Sequence, residues 1–193
     1  PPHLSLYQLT IEPNTPFSHA TPADLPGDDE LAEMQEVVAS HAQAAGLDRY
    51  EVSAYATAGK QCRHNLNYWQ FGDYLGIGAG AHSKLTEPEG VHRFSRPRQP
   101  SRYMDSSGTD EAYVAQRKLD RDDLVLEFMI NALRLSSGFS YQQFELTTGL
   151  GSEVLAEGVA SAVNKGLLVV QGDSVQATDR GFRFLSEIQL LFT

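Results

Sequence analysis

Apolar positions fall into blocks of different period along the chain. Leu4, Leu6, Leu9 and Ile11 predict a buried strand over residues 3–11, ended by Pro13, Asn14 and Pro16. Asp28, Asp29 and Glu30 then supply an acidic first turn suited to a helix N-terminus. Leu31, Met34, Val38, Ala42 and Ala45 recur at helical spacing, and Gly46 is the expected C-cap. Tyr50, Val52, Ala54 and Ala56 alternate with Glu51, Ser53 and Tyr55, the period of a second strand. Strand, helix, strand predicts a βαβ unit with parallel strands and a right-handed crossover.

Residues 58–72 read as an irregular loop, 73–81 as a short strand or extended turn, and 91–95 as another short strand. Residues 97–118 read as a connector punctuated by Pro97, Pro100 and Gly108. A helical pattern starts near Asp120, with Leu124, Val125, Phe128, Met129, Ala132 and Leu135 on one broad face and Gly138 as its stop. Ser140 with Gln143 predicts a capping box for a short helix ending at Gly149, and Ser152 is the expected cap of a third. Residues 167–170 and 175–178 around QGDS predict a hairpin, and Phe182, Leu185, Ile188 and Phe192 a closing helix. This is the order of a winged-helix-like α+β domain. The expected division is therefore an α/β segment over 1–96, a connector over 97–119 and the winged-helix-like domain over 120–193.

Composition narrows the chemistry. The net charge of −10 disfavours bulk binding to phosphate backbones, so no nucleic-acid partner is expected. Residues 120–193 hold five Arg and Lys against ten Asp and Glu, the wrong sign for a DNA-reading helix, so that domain reads as a packing or protein-contact module. The single cysteine, Cys62, permits no internal disulfide and no iron–sulfur cluster held by this chain alone. It fits a reducing cytosol, and no signal peptide or membrane-length apolar run is visible, so a cytoplasmic protein is expected. The chain opens directly on an element without Met, which reads as a piece of something longer.

The densest candidate chemistry lies in CRHNLNYWQFGDYLGIGAGAHS, residues 62–83. GIGAGA approximates a dinucleotide-binding loop. That reading requires a helix immediately afterwards, whereas HSKLTEPEGV holds Pro88 and Gly90, so the glycines instead predict close backbone approach. Cys62 and His64 lack a second pair at zinc-type spacing. In HNLNYW an imidazole able to ligate iron stands beside Asn65, Tyr68 and Trp69, so two readings stay open, a platform for a flat ligand and an aromatic lid over a core. Arg93, Arg96, Arg98 and Arg102 read either as a carboxylate or phosphate site or as an exposed loop balancing nearby acids. Glu12 and Glu51, at strand positions, are candidates to face a site or simply exposed or capping acids.

LYQLTIEPNTPF, YEVSAYATAGKQCRHNLNYW and DYLGIGAGAHS closely resemble the radical-SAM proteins related to oxygen-independent coproporphyrinogen III oxidase, above all the HemW-type haem chaperones. The resemblance continues more weakly through EFMINALRL, LLVV and TDRGFRFL, where Ala177 before Thr178 departs from the Leu-Thr-x-x-Gly pattern of the closing domain. It implies that residues 1–96 are the C-terminal strands and helix of a partial (βα)₆ barrel, followed by the HemN C-terminal-type domain. It also implies a parent whose N-terminal half, absent here, holds a [4Fe–4S] cluster on a Cys-x₃-Cys-x₂-Cys loop with S-adenosylmethionine, so this chain alone performs no radical chemistry. His64, Asn65, Tyr68 and Trp69 match the His-Asn-x-x-Tyr-Trp motif associated with haem, with His64 as axial iron ligand. Gly76, Gly78 and Gly80 carry over as residues shaping the cofactor side. The implied function is haem binding and delivery to haem-accepting proteins. The implied partners are haem, those acceptors and the N-terminal half of the polypeptide; membrane association of the parent stays open without support from the sequence. Two alternatives are an oxidase that decarboxylates coproporphyrinogen III, its carboxylates held by the Arg cluster, and a non-catalytic interaction fragment.

Overall fold

All 193 residues are described by the computed structural model, and they group into two units, Pro1–Cys62 and Arg63–Thr193. The first contains strand β1 (His3–Ser5), helices α1 (Pro16–His19) and α2 (Asp28–Ala44), and strands β2 (Asp48–Glu51) and β3 (Ala54–Ala56). The sheet order is β1-β3-β2, and both pairings are antiparallel. This corrects the expected parallel βαβ unit. Residues 50–56 alternate like one strand, but the chain reverses at Val52–Ser53, and a register shift between Arg49 and Glu51 leaves Tyr50 as a bulge. The turn uses no Gly, Asn or Pro, so composition gives no sign of it. Once reversed, β3 runs antiparallel to both neighbours.

The core of this unit is small: Ala42, Leu47 and Tyr55, with Leu4 and Ala39 packed against it. The predicted inward face of α2 is therefore corrected too, since Met34 and Val38 are exposed, as is Val37. The first strand is also shorter than expected, ending at Ser5, with Leu6, Tyr7 and Leu9 exposed beyond it.

The second unit begins with helix α3 (Arg63–Trp69), where an irregular loop was expected. Strands β4 (His82–Glu87) and β5 (Gly90–Ser95), helix α4 (Pro100–Ser106) and strand β6 (Ala115–Lys118) follow, giving an antiparallel sheet of order β4-β5-β6. Much of the expected connector is thus structured. Its strand escaped notice because β6, Ala-Gln-Arg-Lys, is an edge strand exposed at every position.

Helix α5 (Arg121–Ala132) starts where the sequence places it. Asp120 accepts the Asp123 backbone N–H at 2.9 Å, and Asp123 accepts that of Asp120 at 3.4 Å. Strand β7 (Phe139–Ser140) leads into helix α6 (Tyr141–Thr148), capped by Ser140 Oγ on Gln143 N–H at 3.0 Å and ended by Gly149 at φ 73°. Ser152 does not cap the next helix. Its hydroxyl donates to Glu145 at 2.6 Å, and a 3₁₀ turn, Ser152–Leu155, feeds helix α7 (Ala156–Asn164). Strands β8 (Leu168–Gln171) and β9 (Ser174–Ala177) form the expected hairpin, with β7 added as a third strand on β9. The predicted closing helix breaks at Phe184 into α8 (Asp179–Arg183) and α9 (Leu185–Gln189), followed by a 3₁₀ turn, Leu190–Phe192. One apolar core joins these elements and reaches back to Phe71 and Val91. No helix is long and apolar enough to cross a membrane.

Candidate functional site

Helix α3 carries all four residues of the His-Asn-x-x-Tyr-Trp motif. Residues four apart lie on one helical face, so His64 pairs with Tyr68 and Asn65 with Trp69, the two pairs offset by about 100°. His64 is exposed, and its ring stands edge-on to Tyr68 with centroids 4.9 Å apart. Tyr68 packs in turn on Tyr74 at 4.5 Å. This three-ring ladder is the most plainly ligand-like feature of the chain: an imidazole in solvent contact, backed by two phenols. Trp69 borders the ladder, its ring centroid 6.4 Å from that of Tyr68, and also reaches the other side of the helix. One face of its indole is covered by the Arg134 guanidinium, 4.2 Å from the ring centroid.

A seven-residue helix does not hold itself in water, so the second unit must hold it. Gln143 Nε2 donates to the Gln70 carbonyl at 3.3 Å, and Asn67 Nδ2 to the Asp73 carbonyl at 2.9 Å. The chain then turns through Phe71 at φ 61°, a left-handed conformation uncommon outside glycine. The turn sends the Phe71 ring into the core, against Phe128 at 5.6 Å.

A charged network surrounds this anchor. Lys84, buried on β4, places Nζ 4.1 Å from the Phe71 ring centroid and 3.0 Å from Asp73 Oδ1. Burial pushes the Lys84 ammonium below its ordinary pKa, against the opposing pull of Asp73. Burial also raises Asp73, but donation by the Thr86 N–H, the Lys84 ammonium and the Thr86 hydroxyl outweighs it and holds the carboxyl below its ordinary value. Arg93 on β5 binds Glu127 of α5 and the Tyr74 hydroxyl, tying the phenol ladder to the helix behind it.

Of the three glycines, Gly76 shows the close approach that the sequence suggests, whereas a Cβ at Gly78 would meet open space and one at Gly80 ordinary contact with Arg98 at 3.6 Å, so those two serve their positive φ instead. Gly76 donates its N–H to Ser83 Oγ at 2.9 Å, and a Cβ there would run into the His82 carbonyl. Gly78 and Gly80 adopt φ 111° and 72°. β4, rather than a helix, follows them. Gly76→Ala is expected to lower the unfolding free energy of the second unit by about 1–3 kcal/mol, because the obstruction is backbone and not a flexible side chain. A thermal melt checks this, and a Tm within 1 °C of the unsubstituted chain would refute it.

The arginines divide. Arg93 is engaged as above, and Arg96 donates to the Gly76 carbonyl at 3.0 Å while lying 4.6 Å from the Tyr113 ring centroid. Arg98 and Arg102 are exposed. Cys62 is a free, partly buried thiol whose backbone N–H donates to the Tyr50 hydroxyl at 3.3 Å. Glu12 is exposed, whereas Glu51 is buried in its hairpin. No three His, Cys, Asp or Glu side chains cluster with the spacing of a metal site. Tyr74 and Arg134, which complete the surroundings of α3, lie outside the motif. Tyr74 follows it closely in DYLG, but nothing local in the sequence marks Arg134.

Residues 119–184 match the family described as the HemN C-terminal domain. The heme chaperone HemW of Haemophilus influenzae is 44% identical over 193 residues, covering 100% of this chain and 49% of that protein. The Escherichia coli heme chaperone HemW is 42% identical over the same length, 50% of its own. The Bacillus subtilis protein is 31% identical over 184 residues, covering 93% of this chain and 48% of that protein. Among solved structures, coproporphyrinogen III oxidase (HemN) from Escherichia coli, a radical SAM enzyme, aligns with a TM-score of 0.71 at 18% identity, over 100% of this chain and 48% of that one. At that identity the structural likeness concerns the fold alone. The chain spans about half the length of the curated relatives it matches.

Proposed function

Because the chain belongs to the HemW heme chaperone family, whose C-terminal half it spans, we propose that it provides a haem platform on α3 for delivery to haem-requiring proteins. The observation that carries this reading is the exposed His64 ring backed by Tyr68 and Tyr74. A haem needs one axial base and an aromatic or apolar face, not a cluster of ligands, and this residue set fits it. Bound haem would supply the iron to be delivered; His64 would hold it through its imidazole, and Tyr68 and Tyr74 would border the macrocycle. Trp69, already faced by Arg134, supports the helix in this reading.

The cluster and S-adenosylmethionine belong to the other half of the polypeptide in the same proposal. One cysteine does not make a cluster site, so no step of radical chemistry is assigned to this chain. We place this other half against the first unit. The apolar side chains left exposed there (Leu6, Tyr7, Leu9, Met34 and Val37) support that placement, as does the half-length match to the relatives. The single cysteine supports a cytoplasmic location.

Haemin titration followed at the Soret band tests the platform. The unsubstituted chain is expected to give a saturable shift. His64→Ala should weaken binding by at least about tenfold, the loss expected of one coordinate bond only partly replaced by water. An unchanged spectrum and affinity in His64→Ala would remove His64 from the site.

A further inference from the structure

The two faces of α3 carry different duties. His64 and Tyr68 share the ring ladder, while Trp69, which borders Tyr68 at 6.4 Å, turns towards α5 and the turn that follows it. Trp69 is partly buried, and its Nε1 has no hydrogen-bond partner, so the indole is not oriented through its N–H. Its polar restraint is the guanidinium over the ring. Arg134 sits just beyond the end of α5, its N–H donating to the Asn131 carbonyl at 3.1 Å. It therefore belongs to the segment matched by the HemN C-terminal domain.

Resting on the haem-platform reading above, we propose that Arg134 is a positioning residue. By covering the Trp69 ring it fixes the rotation of α3 about its axis, and that rotation sets where the His64 imidazole points. The gearing follows from helix geometry. With 3.6 residues per turn, a rotation that moves Trp69 off Arg134 swings His64 and Tyr68 by the same angle. Phe71 cannot substitute for this contact. It anchors the end of the segment at one point, and Asn67 and Tyr68 hold the side facing Asp73 and Tyr74, whereas Arg134 sets the opposite side, at Trp69. A planar guanidinium gives a face-to-face restraint that a point charge on a flexible stem does not. The C-terminal domain, acidic and unsuited to nucleic acid, thereby acquires a role in ligand geometry: it is the fixed body against which the motif helix is set.

Trp69 is the chain's one tryptophan, so its emission reports this contact without interference. The experiment uses the 193-residue chain, unsubstituted and as Arg134→Ala and Arg134→Lys, with acrylamide quenching in the absence of haem and haemin titration alongside. Arg134→Ala is expected to raise the quenching constant and to weaken haemin binding roughly three- to tenfold, the range of a partly desolvated cation–π contact. Arg134→Lys should fall between. Should Arg134→Ala fail to fold by circular dichroism, Arg134→Gln, planar and uncharged, replaces it. Unchanged quenching would overturn the stacking contact. Raised quenching with unchanged haemin affinity would overturn the positioning role while leaving the platform intact. Absence of haemin binding in the unsubstituted chain would overturn the platform reading, and positioning with it, whatever the quenching shows.

Discussion

Phe128→Ala is expected to destabilise the second unit by about 3–5 kcal/mol, the range for emptying a fully buried aromatic site. Phe128 has no exposed surface, and its ring meets three others near the perpendicular: Phe71 at 5.6 Å, Phe139 at 5.1 Å and Phe144 at 5.0 Å. Those contacts join four elements, namely the turn after α3, α5, and the consecutive β7 and α6. Edge-to-face ring pairs add to the burial energy, so the void removes both terms. Against a domain stability of about 5–15 kcal/mol, such a loss is a large fraction of the whole. Urea unfolding followed by Trp69 emission should show a midpoint lowered by roughly 2 M, given a slope of about 1–3 kcal/mol per molar. A midpoint shift under about 0.5 M would mean that the site collapses around the missing ring. Phe128→Leu should recover most of the loss, because it refills much of the volume. A haemin titration on Phe128→Leu links core to function: Phe71 then keeps an apolar neighbour, and affinity should stay near that of the unsubstituted chain.

Helix α5 was legible because several local signals agree at one place. Asp120 and Asp123 form the cap, and the apolar stripe begins immediately afterwards. The β8–β9 hairpin was legible for the same reason, with apolar runs on both sides of QGDS. The elements that escaped notice owe their form to distant residues. Helix α3 has only seven residues, no acidic first turn and no basic last turn, so its sequence carries almost no helical signal. The reversal at Val52–Ser53 is fixed by pairing to β1 and β2, not by turn chemistry. Strand β6 offers no alternation because neither of its faces is buried. The candidate site divides along the same line. His64 and Tyr68 could be named from the motif, and close approach could be assigned to Gly76, though not to Gly78 or Gly80, whose positive φ is what requires glycine. Tyr74 and Arg134 could not, since α3 meets them only after the chain has folded. The exposed side chains of α2 show a further reason: helical spacing of apolar residues does not say which of them a neighbour covers, and Met34 and Val38 stand exposed.

Asp73→Ala is expected to destabilise the second unit by about 2 kcal/mol, whereas Lys84→Met, which removes the other partner of the same ion pair, should stay within about 1 kcal/mol of the unsubstituted chain. The asymmetry comes from burial. The Lys84 side chain is 2% exposed and that of Asp73 41%, so removing the carboxylate strands a buried ammonium, whereas removing the ammonium leaves a carboxylate that water still reaches. Asp73 also keeps the Thr86 N–H at 2.8 Å when Lys84 is gone, and methionine can lie on Phe71 in place of the ammonium stem. The cost for Asp73→Ala falls below the range for fully buried pairs because of that 41% exposure. The pair also tilts stability with pH on both sides. Because the folded Asp73 carboxyl titrates below its ordinary 3.8, its stabilisation is complete above that value and is lost as pH falls through the depressed folded value. Because the folded Lys84 ammonium titrates below its ordinary 10.5, the unfolded chain holds more protons in the window between the two values, and stability rises with pH across it. Asp73→Asn should therefore flatten the acid limb of the urea midpoint below about pH 4, and Lys84→Met the alkaline rise approaching about pH 10. Equal destabilisation by Asp73→Ala and Lys84→Met would show that the two groups are worth the same to the fold, and the buried ammonium would then not be the expensive member of the pair.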